Sequence, residues 1–413
     1  LGLYINDINY LSAMVGLSRW YDMRLWHVAK YAMSMEALVE IAFSLRNIIL
    51  SLRGEAKKGL VLDLDNTCWG GCIGDEGVEG IRLDPETPVG ESYVAFQQYA
   101  KKLKERGVLL AVCTKNEFAT AKTGFSHPDS ILRYEDFVSF KANWTQKSKN
   151  IEGIAAELNI AKSALVFIDD NPVEREEVRG FCSGVIVPEV GSEVTDYISF
   201  IDRNGYFEAV RLTEDDVNRN QAYEENETRL GDLKKYADYD DYLKSLSMEL
   251  EVSPFEPLYY ERIGALVGKT NQFNLTCKRY GISELIAMSE DDHYLTLSGR
   301  LSDKYGQNGV VSLVIVEQEG TVGHIRLWLM SCRVFNRCIE YAMFDELVMR
   351  ALGMGVEKLV GYYNKGKSND LVENLYGRLG FVYVQSGDGN AVWDMEISAD
   401  YNNYNKIITI TDE

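Results

Sequence analysis

Between residues 56 and 190 short apolar runs alternate with helical stretches, and this alternation constrains the fold more than any other feature of the chain. The runs are 59–63 (GLVLD), 108–113 (VLLAVC) and 164–168 (ALVFI), with helical patterns near 90–106 and 147–158 between them. Strands without a polar face must be covered on both sides, so the pattern predicts a parallel sheet flanked by helices. Ligands of such open sheets bind at the carboxyl ends of the strands. The three runs end there in Asp63, in Thr114 and in Asp169-Asp170.

The first of these ends reads Asp63-Leu64-Asp65-Asn66-Thr67 and is the strongest chemical signal. Two carboxylates at i and i+2 straddle a strand end, where one can attack phosphorus and the other can handle a proton. Thr114 offers a hydroxyl to a phosphate oxygen. Lys147, in Asn143-Trp144-Thr145-Gln146-Lys147, offers a cation near a helix start. Asp169 and Asp170 suit a hard divalent cation. The gap between Asp63 and Thr114 holds a Gly-rich hairpin, from Trp69-Gly70-Gly71 to Leu83, and one helix. The gap before Lys147 holds a helix and a strand. Neither has room for a cap domain, so the site is expected to be open to a bulky substrate or to cover by another domain.

A chain of 413 residues is long enough for two or three domains with real cores. Residues 1–55 read as a helical arm or the tail of a preceding domain, with Ser34 as N-cap, Gly54 as stop and Met35, Leu38, Val39, Phe43, Leu45, Ile49 and Leu52 on one face. Residues 56–190 carry the site. Residues 191–247 are acidic, with Glu214, Asp215, Asp216, Glu224, Glu225 and Glu227 clustered, and are expected as a solvated helical linker. A second α/β unit spans 248–398, with strands at 309–317, 323–330, 358–362 and 391–397 and helices near 338–353 and 369–378; 399–413 reads as a tail. The net charge of −20 repels phosphate backbones and argues against a nucleic-acid partner. No apolar run approaches the roughly 18–20 residues of a membrane helix. Seven cysteines, an odd number thinly spread, point to reduced thiols and a cytoplasmic setting.

The set Asp63, Asp65, Thr114, Lys147 and Asp169-Asp170 resembles the haloacid dehalogenase superfamily of aspartyl phosphotransferases. The resemblance implies a capless Rossmann-like sheet domain and a Mg2+-dependent phosphatase or phosphotransferase acting on a small phosphorylated substrate. Asp63 would be the nucleophile, Asp65 the general acid/base, and Thr114 and Lys147 the phosphate ligands. Asp63, Asp65, Asp169 and Asp170 would form the metal site, with Asp169 preferred to Asp170, and Lys141 is the runner-up for Lys147. Residues 61–81 (VLDLDNTCWGGCIGDEGVEGI), 143–151 (NWTQKSKNI), 167–175 (FIDDNPVER) and 269–276 (KTNQFNLT) resemble the FkbH-like family. Ser331-Cys332-Arg333 and Leu375-Tyr376 through Gly380-Phe381 do so too, and together they cover about residues 55–395. That family implies either phosphate chemistry alone or conversion of a bisphosphoglycerate acyl phosphate into a glyceryl thioester on an acyl carrier protein. Others of its members lie in surface-polysaccharide loci. Cys68 and Cys332 are the candidate acyl nucleophiles; the alternative for each is a buried small residue.

The second unit of that family resembles a GNAT acyltransferase, in which R-x-x-G-x-G/A opens a helix that holds coenzyme A pyrophosphate. Here the run is Arg333-Val334-Phe335-Asn336-Arg337-Cys338, with both glycines replaced, which predicts weak or absent coenzyme A binding. Arg333, Arg337 and Tyr376 are the candidate residues of that site, Tyr376 standing where a general-acid tyrosine would; a tyrosine packed in the core is the alternative. A noncatalytic module that docks a carrier or glycan-pathway partner, or covers the open site, is the competing expectation for this unit. Residues 361–368 (GYYNKGKS) match a P-loop pattern but leave too little chain for a nucleotide-hydrolase sheet and read as a polar loop. Cys68 and Cys72 lack the second pair that a zinc site needs.

Overall fold

The chain is described by a computed structural model over residues 4–209 except 192, residues 220, 223, 229, 232, 235 and 236, and residues 238–411 except 388. The first apolar run forms strand β1 (Gly59–Leu62), the second β2 (Leu109–Thr114) and the third β4 (Leu165–Ile168), and every residue of the three is buried. A fourth strand, β3 (Phe137–Ala142), takes the edge, where half of its residues are only partly buried; this is why its sequence lacks the continuous apolar run. All pairings are parallel in the order β3-β2-β1-β4, with Leu62 level with both Val112 and Ile168. The ends of β1, β2 and β4 therefore lie side by side.

Four helices precede the sheet: α1 (Ile8–Val15), α2 (Leu17–Trp20), α3 (Met23–Ala29) and α4 (Met35–Leu52), the last capped by Ser34. Between β1 and β2 run α5 (Ile73–Gly80) and α6 (Pro88–Glu105), the latter started by Thr87 with Pro at its first position. The expected hairpin is a single antiparallel bridge, Gly70 with Arg82, which encloses α5. Helices α7 (Phe118–Thr123), α8 (Lys147–Glu157) and α9 (Pro172–Phe181) complete the crossovers. Among the described residues, only these helices and short turns separate the strands. Trp69 is fully buried against Phe125, and a Cβ placed on Gly124 would sit 2.5 Å from the Trp69 ring, so only glycine fits there.

The chain divides into units Gly2–Asn220 and Gln221–Glu413, so the stretch 191–247 is not a single solvated linker. Helix α10 (Val194–Asn204) buries Val194, Tyr197 and Ile201, an apolar stripe at helical spacing, with the Tyr197 ring 5.4 Å from Phe96 of α6. The acidic cluster Glu214, Asp215, Asp216, Glu224, Glu225 and Glu227 lies outside the described residues.

The second unit is a mixed sheet in the order β10-β11-β9-β8-β7-β6-β5-β12. Its strands are β5 (Glu249–Ser253), β6 (Tyr294–Asp303), β7 (Gly306–Glu319), β8 (Val322–Met330), β9 (Lys358–Asn364), β10 (Val382–Gly387), β11 (Asn390–Glu396) and β12 (Thr409–Thr411). The residues expected as a tail instead supply β12, parallel to β5. Asp345 holds that segment by accepting the Tyr404 and Asn405 N–H groups and the Tyr401 hydroxyl. Strands β8 and β9, joined by the helix Ile339–Gly353, pair only from Val322/Lys358 to Ile325/Gly361 and then diverge. The segment around Phe273–Leu275 enters between them. Leu275 N donates to Trp328 O at 3.1 Å, Met330 N to Phe273 O at 3.0 Å and Asn364 N to Leu275 O at 2.8 Å.

Gly124→Ala should destabilise the protein by about 1–3 kcal/mol, because the new methyl group overpacks a site already filled by Trp69. Chemical denaturation should show a lowered midpoint.

Candidate active site

Sheet register brings the site together. Asp63 follows β1, Thr114 ends β2 and Asp169 follows β4, while Lys147 opens α8 after the edge strand β3. The Lys147 Nζ is 3.0 Å from Asp63 Oδ1 and 2.6 Å from Asp169 Oδ2. All three side chains are buried. Lys141, the runner-up, instead pairs with Glu157 at 2.7 Å. The Thr114 hydroxyl accepts from the Asn116 amide at 3.3 Å and is among the neighbours that pull the Asp63 carboxyl down.

Asp65 faces a different set of partners. Its Oδ1 accepts the Trp69 indole N–H at 2.9 Å and the Ile73 N–H at 3.1 Å, and its Oδ2 accepts the Asn116 amide at 2.9 Å. This carboxylate is thereby held apart from the group formed by Asp63, Asp169 and Asp170, whose oxygens lie within 4.8 Å of one another. The four-carboxylate metal set expected from the resemblance is thus three side chains here. Asn66 makes the sharp turn after Asp65 with left-handed backbone, φ 52°, and its Oδ1 accepts the Gly71 N–H at 2.9 Å. Asn116 and Trp69 were not singled out from the sequence. Asn116 stands two residues after Thr114, the spacing that relates Asp63 to Asp65, and that was a usable signal; nothing in the sequence marks Trp69.

Burial pushes the Asp63 carboxyl up to about 6 against the pull of Lys147. Burial, with Asp63 next, pushes Asp170 up to about 6 as well. Burial likewise raises Asp169. Burial works to lower the Lys147 ammonium, yet Asp63 and Asp169 outweigh it and raise its pKa. One ammonium therefore faces three adjacent carboxyls, and burial pushes all three above the ordinary carboxylate range. A cation with oxygen preference fits this set: all donors are carboxylate oxygens, and Asp63 Oδ1 has no aligned hydrogen-bond donor. Asp169 spends Oδ2 on Lys147 and Oδ1 on the Asn171 N–H.

Cys68 is fully buried, its thiol donates to Asp63 O at 3.2 Å, and burial, then Asp63 and Asp65, raise its pKa well above the ordinary thiol value. That environment favours the protonated thiol and the reading of Cys68 as a buried small residue.

In the second unit, Asn336 and Cys338 both adopt left-handed backbone, φ 62° and 63°, the conformation that glycines would have supplied. Cys338 is also the N-cap of the helix Ile339–Gly353 and gives it no side-chain bond. Arg337 is buried against Asp303 at 3.1 Å, a carboxylate that it shares with Arg229 at 2.8 Å; burial, then Arg229, pull its guanidinium down to about 10. Cys332 and Arg333 are partly buried in the turn before it. Tyr376 is fully buried, its ring on Gly361 and 4.9 Å from Phe381, and burial raises its hydroxyl; this is the core tyrosine rather than an accessible acid. Residues 361–368 close β9 with a turn pinned by Asn369, whose Oδ1 accepts the Gly366 N–H at 2.7 Å.

No family model matches the chain, and no curated protein does. Among solved structures it is similar to the N-terminal part of the protein BF1531 from Bacteroides fragilis, containing a phosphatase domain complexed with Mg. The identity is 38% over 49% of this chain and 54% of that one, with a TM-score of 0.48. The chain thus spans about half the length of that structure. It is also similar to the ribosomal-protein-S18-alanine N-acetyltransferase from Escherichia coli, at 14% identity over 38% of this chain and 99% of that one, TM-score 0.29. Rv2747 from Mycobacterium tuberculosis, in complex with CoA and NLQ, matches at 13% identity over 36% of this chain and 99% of that one, TM-score 0.29. The first unit carries its aspartates at the carboxyl end of the parallel order β3-β2-β1-β4, and in the second β8 diverges from β9 around the crossover helix. No helix among the described residues is long and apolar enough to cross a membrane.

Magnesium at about 100 times its dissociation constant should stabilise the folded chain by about 2.7 kcal/mol. Thermal melts with and without magnesium should show the rise, and Asp170→Asn should diminish it.

Proposed function

We propose that the first unit is a magnesium-dependent phosphatase or phosphotransferase that works through an aspartyl phosphate on a small phosphorylated metabolite or acyl phosphate. The observation that carries this reading is the Lys147 ammonium set between Asp63 and Asp169 at the carboxyl end of a parallel sheet. Asp63 is the nucleophile, Asp65 the proton donor and acceptor, and Thr114 with Lys147 receives the phosphate oxygens. Asp63, Asp169 and Asp170 would hold magnesium, which when bound would offset the charge of the phosphate group. The surrounding strand ends keep bulk water from the nucleophile and fix its direction.

The FkbH-like resemblance extends the proposal to an acyl phosphate of glyceric acid, with an acyl carrier protein receiving the acyl group. The seven free thiols support a reducing, cytoplasmic setting. Asp63→Asn, a nearly isosteric change, should abolish phosphate release with the fold intact. Asp65→Asn should slow it by about 10²–10⁴-fold. Near-normal turnover of any accepted phosphate ester or acyl phosphate by Asp63→Asn would overturn the mechanism.

For the second unit, a noncatalytic docking role for a carrier or glycan-pathway partner is favoured over acyl transfer by one specific observation. The backbone groups of β8 that an extended acyl thioester would pair with, Trp328 C=O and Met330 N–H, are already bonded to Leu275 and Phe273. Titration calorimetry of the full chain with acetyl-coenzyme A should show no binding at micromolar concentrations. A low-micromolar dissociation constant would restore the acyltransferase reading, with Asn336 and Cys338 acting as a working pyrophosphate loop.

A further inference from the structure

Phosphoryl transfer from an ester needs one oxygen of the acid/base carboxylate to meet the leaving oxygen in a fixed direction. The two oxygens of Asp65 are not equivalent. Oδ1 is met by two N–H donors, the Trp69 indole at 2.9 Å and the Ile73 backbone at 3.1 Å. Oδ2 is met by the Asn116 amide at 2.9 Å, and the same amide nitrogen lies 3.3 Å from Thr114 Oγ1. Thr114 is in turn near enough to Asp63 to help hold its carboxyl down. Oδ2 thus lies on the side of the nucleophile and the phosphate ligand, and Oδ1 on the side of α5.

We propose that Trp69 and Asn116 are positioning residues that make Oδ2 the proton-transferring oxygen of Asp65, with Asn116 tying that oxygen to the phosphate ligand Thr114. This deepens the phosphatase reading and rests on it. Trp69 is suited to the task because it cannot move. It is fully buried, its ring packs edge-on to Phe125 at 5.3 Å, and it lies flush on Gly124. Its indole N–H is therefore a fixed donor. With two donors on Oδ1, a proton carried by Asp65 resides on Oδ2.

In the first half-reaction an Asp63 oxygen bonds to phosphorus, and the bond from phosphorus to the leaving oxygen breaks with its electron pair on that oxygen. The Oδ2 proton passes to the same oxygen. In the second half-reaction water attacks the aspartyl phosphate, the bond from phosphorus to Asp63 breaks, and a water proton goes to Oδ2. Both side chains are restored, and the products are an alcohol and phosphate. Asn116 gives way to the leaving group in the first step and re-forms its bond to the deprotonated oxygen between steps.

The test uses two probe esters that differ in how much they need a proton. p-Nitrophenyl phosphate leaves as a stable phenolate; phenyl phosphate leaves as a more basic one. Asn116→Leu and Trp69→Phe in the full chain should lower kcat on phenyl phosphate at least about tenfold more than on p-nitrophenyl phosphate, with KM little changed. Asp65→Asn should show the same selectivity at larger size. Thermal melts report whether each variant is folded, and Asn116→Leu, which leaves the core packing of Trp69 intact, decides the matter if Trp69→Phe unfolds. Equal losses on both esters in folded variants would assign the two side chains a purely structural part and overturn the proposal. An Asp65→Asn protein without leaving-group selectivity would instead remove Asp65 from the proton transfer, and the underlying reading with it.

Discussion

A single ammonium group, Lys147, lies within 3.0 Å of two buried carboxylates while a third, Asp170, stands beside them, and the first unit is organised around accommodating that charge. Removing ions from water is costly, and in an interior the cost is met only by close pairing and additional hydrogen bonds. Breaking one side of such a pair leaves an uncompensated charge and typically costs about 3–5 kcal/mol. The start of α9 supplies part of the compensation: the Asn171 N–H donates to Asp169, and Arg175 donates to the carbonyls of Asp169 and Asp170. What remains unmatched is negative charge, and burial raises the pKa of each carboxyl accordingly. Three carboxyls crowded in this way suit a bound divalent cation.

The same region shows how packing reaches chemistry. Trp69 is at once a core residue, wedged between Gly124 and Phe125, and a hydrogen-bond donor to Asp65. The rigidity of a close-packed interior is passed directly to a carboxylate at the strand end. Asn116 does the equivalent from the β2 side, joining Asp65 to Thr114. The two elements that frame the site are thus tied through Asp65 itself.

In the second unit the governing constraint is an unpaired strand edge. Once β8 and β9 diverge, their inward-facing backbone groups need partners. The segment around Phe273–Leu275 provides them, and fully buried Asn369 secures it by donating to Asn274 O at 2.9 Å. The left-handed backbone at Asn336 and Cys338 shows that the neighbouring loop keeps its shape although both glycines are gone. Loss of a glycine did not mean loss of the conformation, because Asn accepts that backbone readily and Cys338 is held in it as the cap of a long helix.

The amino-acid pattern by itself determined the parallel sheet and the residues at its carboxyl ends, because a strand covered on both faces has no polar position and its first polar residue marks its end. Asp63, Thr114 and Asp169 were legible for that reason. Edge strand β3 and the strand Tyr294–Asp303, which is only partly buried, lacked that signature. Tertiary structure alone decided the rest. Lys147 rather than Lys141 enters the site because α8 opens beside Asp63 while Lys141 faces Glu157. Asp65 stands apart from the carboxylate cluster because Trp69 and Asn116, distant in sequence or silent in pattern, turn it away. Cys68 is fully buried by its neighbours, and burial is a property of contacts that no local spacing encodes.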